Sequence, residues 1–253
     1  ARLDLQCPAV LSNKPMPARC SQWLHTAEQS FPSGEIIGGH EAKRHSRPYM
    51  AFLQIWDQDD RKSSVNVTLG AHNIKVRERT QQVIPVRKAI PHPDYNKKNY
   101  SNDIMLLKLE RKAKQTAAVR PLSLPRGKAR VKPGQVCSVA GWGQVAMGTY
   151  SDTLQEVKLT IQEDQKCESH LRNYYNNALQ LCVGDPKENK ASFRVSMTTY
   201  LAWLWGDACL QKIWDQGTQA GIVSYGQKNG SPPRACTKVS SFLPWIKKTM
   251  KTP

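Results

Sequence analysis

The run FRVSMTTYLAWLWGDACLQKIWDQGTQAGIVSYG (residues 193–226) joins two kinds of sequence. Its last six residues, Gly221 to Gly226, are β-branched and aromatic, close on a glycine, and predict a buried strand. Its middle, residues 195–219, keeps neither alternation nor a helical period for more than a turn. That middle nevertheless carries three of the chain's seven Trp. What the chain can do turns on this segment.

Outward from it, short β-type runs alternate with turn clusters rich in Pro and Gly. They are Tyr49–Trp56, Val65–Gly70, Gln82–Val86, Ile104–Leu109, Val136–Ala140, Thr153–Thr160, Ala220–Ser224 and Ala235–Val239. Many short strands at near-regular spacing predict an all-β sandwich or barrel. One helix is expected at the end, over 240–251. Ser240 and Ser241 are placed to cap it, and Phe242, Leu243, Trp245, Ile246 and Met250 are spaced to cover one face. Residues 1–35 show no usable period and read as a leader outside the fold.

Composition narrows the classes. At 253 residues the chain can bury a real core. No apolar run is long enough to span a bilayer, and nothing at the N-terminus reads as a signal peptide. The net charge of +17 is scattered along the sequence. It reads either as a solvated surface or as one that binds a polyanion such as a sulfated glycan. No nucleic-acid motif accompanies it, so nucleic acid is not expected as a partner. Seven Cys at long spacings, with no Cys-x-x-Cys, exclude a zinc ribbon or thioredoxin-type site, and no cofactor or metal is expected. Sequons at Asn66 and Asn99 point to an extracellular history with glycosylation and disulfides.

Four motifs stand in a telling order: Ile36-Ile37-Gly38-Gly39, Asn102-Asp103-Ile104-Met105-Leu106-Leu107, Ala140-Gly141-Trp142-Gly143, and Gly221–Gly226 followed by Pro232-Pro233-Arg234-Ala235-Cys236. On these the chain resembles the chymotrypsin-fold serine proteases of the trypsin-like family, in particular their granzyme branch. The resemblance covers nearly all of 36–194 and 220–253. It implies a chymotrypsin-like double β-barrel with a C-terminal helix. The first barrel would occupy 36–124 and the second 125–239.

Several roles follow from the resemblance. Ile36 would be the mature N-terminus, released by removal of Gly34-Glu35. Asp103 would be the triad carboxylate that orients a catalytic imidazole. Ser224, Tyr225 and Gly226 would pair with an extended substrate by strand addition. Arg234 would select Asp before the scissile bond through bidentate, charge-assisted hydrogen bonds. Cys167 and Cys182 would form a disulfide, and Cys236 would stay unpaired. Implied partners are peptide substrates and sulfated proteoglycan, in secretory or cytotoxic granules and outside the cell.

Two departures set this chain apart. Where the family runs through a strand pair ending Ala-Ala-His-Cys, Lys62 joins directly to Ser63, so the first barrel is truncated and the catalytic His is gone. After Arg194, where the family has Gly-Asp-Ser-Gly-Gly-Pro, stands the foreign insert 195–219. Nucleophile and oxyanion-hole amides go with it. The partner of Cys137 goes too, leaving Cys209 as a substitute. The expected outcome is an inactive protease relative, with a non-enzymatic basic binding protein as the alternative. Val195-Ser196 can be encoded as a splice donor, and Ser30 to Ser33 as a pyrimidine tract ending in a splice acceptor. Residues 1–33 and much of 195–219 therefore read as translated intron in an aberrantly spliced form.

Overall fold

The computed structural model describes residues 39–58, 62–125, 131–146, 149–171, 174–188, 208–211, 218–227 and 231–251. All of them fall within the unit Gly34–Pro253. The expected leader, and Ile36 with it, lie outside the described residues.

In chain order the elements are β1 (His40–Glu41), β2 (Ala51–Gln58), β3 (Lys62–Leu69), β4 (Gln82–Pro91), β5 (Met105–Leu109), β6 (Val136–Gly141), β7 (Gln144–Ala146), β8 (Thr149–Tyr150) and β9 (Gln155–Thr160). Helix α1 (Asp164–Leu171) follows, then β10 (Gln180–Val183), β11 (Ala208–Gln211), β12 (Thr218–Gly226), β13 (Arg234–Lys238), a 3-10 turn at Val239–Phe242 and helix α2 (Leu243–Lys251). The molecule is mostly β with a short C-terminal helix, as the sequence led us to expect.

One sheet has the order β1-β9-β6-β11-β12-β13-β10. The bridge Ile161↔Val183 brings the end of β9 to β10. Hydrogen bonds from Gln162 N to Cys182 O (2.8 Å) and from Gly184 N to Thr160 O (2.9 Å) accompany it. The strands from β9 round to β10 thereby close on themselves as a barrel, while Val223 to Gly226 of β12 extend beyond their pairing with β11. Val157 and Leu159 on β9 are buried while Lys158 between them is exposed, the alternation of a barrel wall. With Cys137, Val139, Ile161, Leu181, Val183, Ala220 and Cys236 they fill one core.

The other sheet is β2-β3-β4-β5. Strand β4 changes partner along its length. Residues Gln82 to Pro85 pair with β3, and Val86 to Pro91 pair with β5, with a register shift between Val86 and Lys88. Pro85, the last β4 residue paired with β3, stands opposite Asn66 at the hand-over. The sequence places the end of this strand at Val86 because Arg87 and Lys88 break the apolar run; both are exposed and the strand continues to Pro91. Among the described residues β2 and β5 each have one strand neighbour.

The C-terminal helix differs from its expectation in two ways. Ser240 and Ser241 lie inside the 3-10 turn rather than capping α2, and Ser241 Oγ donates to Ala178 O at 2.7 Å. Met250 is 71% exposed, so it is not part of the covered face. Phe242 and Ile246 are buried with Ile104 and Val239. The His92 ring, 5.4 Å from Phe242 and 4.9 Å from Trp245, packs the helix against the loop after β4.

Part of the expected insert is regular structure. Strand β11 lies between β6 and β12, with Ala208↔Ala140 and Ala208↔Ile222 among its pairs. Its register sets Gln211, not Cys209, opposite Cys137; Cys209 stands opposite Val139. The rest of 195–217 lies outside the described residues.

Candidate functional site

Asp103 immediately precedes the Ile104–Leu109 run, where the loop 92–103 turns back toward β5. That loop is held by side chains acting on backbone, the ordinary way Asn and Asp stabilise turns. Asn102 Nδ2 donates to Asp94 O at 2.9 Å, and Asn99 Oδ1 accepts from Ser101 N at 3.1 Å. Two of its residues take left-handed backbone, Tyr100 (φ 55°) and Asn102 (φ 57°). Asn tolerates that region; for an aromatic side chain it costs energy, and such strain tends to collect at functional sites. The Tyr100 ring stacks on Tyr225 of β12, centroids 5.2 Å apart and planes 28° from parallel.

Ser224 is the residue on which the second barrel meets this loop. The β12–β13 ladder runs Val223↔Cys236, then Tyr225↔Ala235, so its register shifts across Ser224. A bulge of this kind re-aims a side chain. Ser224 Oγ donates to Asp103 Oδ2 at 2.5 Å. Thr237 on β13 adds a second brace, its hydroxyl donating to Asp103 O at 2.8 Å. Burial raises the Asp103 carboxyl above its ordinary value, and the Ser224 hydrogen bond partly offsets this. Burial, followed by the Asp103 charge and Tyr100, pushes the Tyr95 phenol up to about 12.

Among the described residues no histidine is hydrogen-bonded to Asp103. His72 is buried with Nε2 2.7 Å from Glu41 Oε1. His40 faces Glu156 at 3.3 Å. The ring of His92 packs on the helix, as above, and His170 Nδ1 lies 2.7 Å from Lys166 O.

Further along the same strand edge, Gly226 stands opposite Arg234. A Cβ on Gly226 would sit 3.0 Å from Arg234 Cγ and 3.0 Å from Nε, so the guanidinium arm lies against bare backbone. Arg234 is 5% exposed. Its guanidinium is a permanent charge with planar, paired N–H donors, held within the fold rather than on the surface. Tyr225 Oη donates to Gln180 Oε1 at 3.2 Å, and burial pushes its phenol up to about 12.

The structure thus joins Asp103 to Ser224 and sets Gly226 opposite Arg234 on the neighbouring strand, with Tyr225 between Ser224 and Gly226 on β12. Asn66 lies apart, within β3 opposite Gln54 and Pro85. Cys167 and Cys182 are joined by a disulfide with Cα atoms 5.7 Å apart, and buried Cys236 keeps its thiol. Sequence reasoning missed Tyr100 and Thr237 as parts of the site. For Tyr100 the available signal was an aromatic three places before the carboxylate; Thr237 gave none. Among the described residues no group of His, Cys, Asp and Glu is arranged to hold a metal ion.

Comparison with known proteins shows the family. The family model described as Trypsin matches residues 56–194. Granzyme B of Homo sapiens is 60% identical over 240 residues, covering 87% of this chain and 92% of the relative. Granzyme B(G,H) of Mus musculus is 58% identical over 241 residues, covering 87% and 93%. A solved structure titled "Structure of GrC" superposes with a TM-score of 0.72 at 48% identity, covering 85% of this chain and all of that one.

Proposed function

Because the chain belongs to the trypsin family of chymotrypsin-fold serine proteases and is granzyme-like, we propose that it is a catalytically inactive relative that retains a peptide-binding edge. The observation that carries the reading is the state of Asp103. Its carboxylate is engaged by Ser224 and meets no imidazole among the described residues. The segment that should hold the nucleophile reads VSMTTYLAWLWGDACLQ instead of a glycine-rich Ser turn. An unassisted hydroxyl such as that of Ser196 is a weak nucleophile. Losing triad members alone leaves about 10³–10⁴-fold catalysis over water, through the oxyanion hole and binding. With the oxyanion amides also absent, that remnant is not expected either. An aberrantly spliced transcript would account for both departures, and sequencing the mRNA tests it.

Binding is a separate matter. An extended peptide can add to the edge at Ser224, Tyr225 and Gly226 through backbone hydrogen bonds. An Asp side chain would meet the Arg234 guanidinium, giving the ligand class: acidic extended peptides. Fluorescence polarisation with a labelled Asp-containing peptide, against its Asn counterpart, tests this. Equal affinity for the two would refute the assignment to Arg234. By kinship the site of action is the cytotoxic granule or the extracellular space.

A second reading has its own support. On the exposed β4–β5 ribbon Lys88 stands directly opposite Lys108, a like-charge pair that is unfavourable without a counter-ion. Arg87, Arg111, Lys112 and Lys114 are exposed on the same ribbon or in the loop that follows it. This face suits a sulfated proteoglycan. Elution from heparin that moves to lower salt in a Lys88→Ala/Lys108→Ala variant supports it, and unchanged elution refutes it.

A further inference from the structure

The four-stranded sheet ends in two open edges. Strand β3 begins at Lys62, and its first pairs with β2 are Gln58↔Lys62 and Asp57↔Ser63, so the Lys62–Ser63 junction lies within one continuous hairpin. The order runs from β2 to β5, and among the described residues neither of these two strands has a second neighbour. An edge strand presents a row of backbone donors and acceptors to whatever can pair with it. One face of the sheet is also apolar. Leu53, Val67 and Ile84 stand opposite one another across β2, β3 and β4, and Val86↔Leu109 carries the same face onto β5. Val67 and Ile84 at its centre are buried. Leu53 and Ile55 on one edge strand, and Leu107 and Leu109 on the other, are half-buried, so apolar surface stays open to water along both edges.

Four strands cannot close round such a face, since a barrel whose interior is just filled by side chains takes about eight. A second copy of the chain supplies the other four. Strands β2, β3, β4 and β5 pair antiparallel in turn, so β5 runs opposite to β2. One two-fold axis then sets β5 of each copy beside β2 of the other, and both new ladders are antiparallel. The charges select this arrangement over pairing like with like. Strand β5 (MLLKL) carries Lys108 and no acid, whereas β2 (AFLQIWDQ) carries Asp57 and no base. A β5–β5 or β2–β2 contact would join strands of one sign and leave the remaining edges bare. We infer that this sheet is half of an eight-stranded barrel, completed by a second copy of the chain through reciprocal β5–β2 pairing. The inference does not depend on peptide binding at β12, which lies in the other sheet.

The test is sedimentation velocity on the full chain at micromolar concentration. The expected species has twice the chain mass of 28.5 kDa. Ile55→Lys and Leu107→Asp each put an uncompensated charge inside the barrel, so each alone should raise the dissociation constant at least about 100-fold. Mixed in equal amounts they should regain a dimer, because one lysine then shares the interior with one aspartate. Val83→Lys, at an exposed position on the other face of β4, should leave the dimer intact. Hydrogen exchange on the unmutated chain gives a readout that needs no variant to fold. The amides of 51–58 and 105–109 should exchange several-fold more slowly as the chain is concentrated through the dissociation constant, while those of β10 stay constant. A parent that remains monomeric, assembles beyond a dimer, or dimerises with unchanged exchange in β2 and β5 would overturn the inference. So would a single variant that dimerises as the parent does, or two folded single variants that fail to pair when mixed.

Discussion

Ser224 Oγ donates to Asp103 Oδ2 at 2.5 Å, joining residues 121 apart in sequence and linking the two sheets at one carboxylate. The bond occupies one of the two oxygens of this carboxylate. Removing the donor leaves a partly buried carboxylate short of a partner. Ser224→Ala should therefore cost about 1.5–3 kcal/mol, the range for hydrogen bonds to charged groups. The loss should shrink when Asp103 is already Asn. Denaturant melts of the two single variants and the double variant measure the coupling.

The titration of Asp103 gives a pH signature of opposite sign to most carboxylates. Burial raises its folded-state value, so the folded chain holds the proton more tightly than the unfolded one. Stability from this group is greatest below the unfolded value and is lost as pH rises through the folded one. Asp103→Asn should thus melt higher than the parent at neutral pH. The advantage should narrow as pH is lowered through the carboxylate range. A lower melting temperature for Asp103→Asn at pH 7 would count against the burial argument.

Glu41 behaves in the ordinary direction. Its hydrogen bond to His72 is the main cause holding it below the ordinary carboxylate value, against a smaller effect of burial. Its contribution is present above the unfolded value and lost as pH falls through the folded one. Thermal melts of Glu41→Gln should match the parent's below that range and fall beneath them above it.

The strand registers and the loop around Asp103 were only partly legible in the sequence. The alternation at Val157 and Leu159 and the apolar run at Gly221–Gly226 predict their strands, but only the first is buried as expected: of the second, Gly221 is buried and Ile222 to Gly226 are half-buried. Strand β10 hides inside QLCV, four residues buried throughout, with no alternation to announce it. Helix α1 reads as a polar loop, since only Cys167 and Leu171 of its eight residues face inward. The motif order singles out Asp103 and Arg234 as candidates, because the family spacing is long and specific. It did not reach the Ser224 bulge or the Tyr100–Tyr225 stack, which depend on register between segments more than a hundred residues apart. For β11 the local sequence is poor guidance: its neighbours β6 and β12 leave a gap that a strand fills.

The disulfide Cys167–Cys182 closes α1 onto β10 across a separation of 15 residues. Chain-entropy reasoning puts such a cross-link at about 3 kcal/mol. Replacing both cysteines with Ala should lower the unfolding free energy by that order, read from denaturant midpoints at constant m-value.

Gly226 is where a single methyl group would test the pocket. A Cβ there comes within 3.0 Å of the Arg234 arm, which must then shift. Gly226→Ala and Arg234→Ala should both weaken an Asp-containing peptide. For Arg234→Ala the loss should be about 10-fold or more, as one charge-assisted hydrogen bond is worth about 1.5–3 kcal/mol. Retained affinity in both variants would place the acidic group elsewhere.

The central claim is that the binding edge survives while the chemistry does not. Its most direct test is turnover of an Asp-containing reporter peptide by the purified chain, with labelling by a serine-directed phosphonate measured in parallel. The account predicts no cleavage above buffer and no covalent label, alongside measurable binding of the peptide. Cleavage abolished by the phosphonate, with one label per chain, would contradict it.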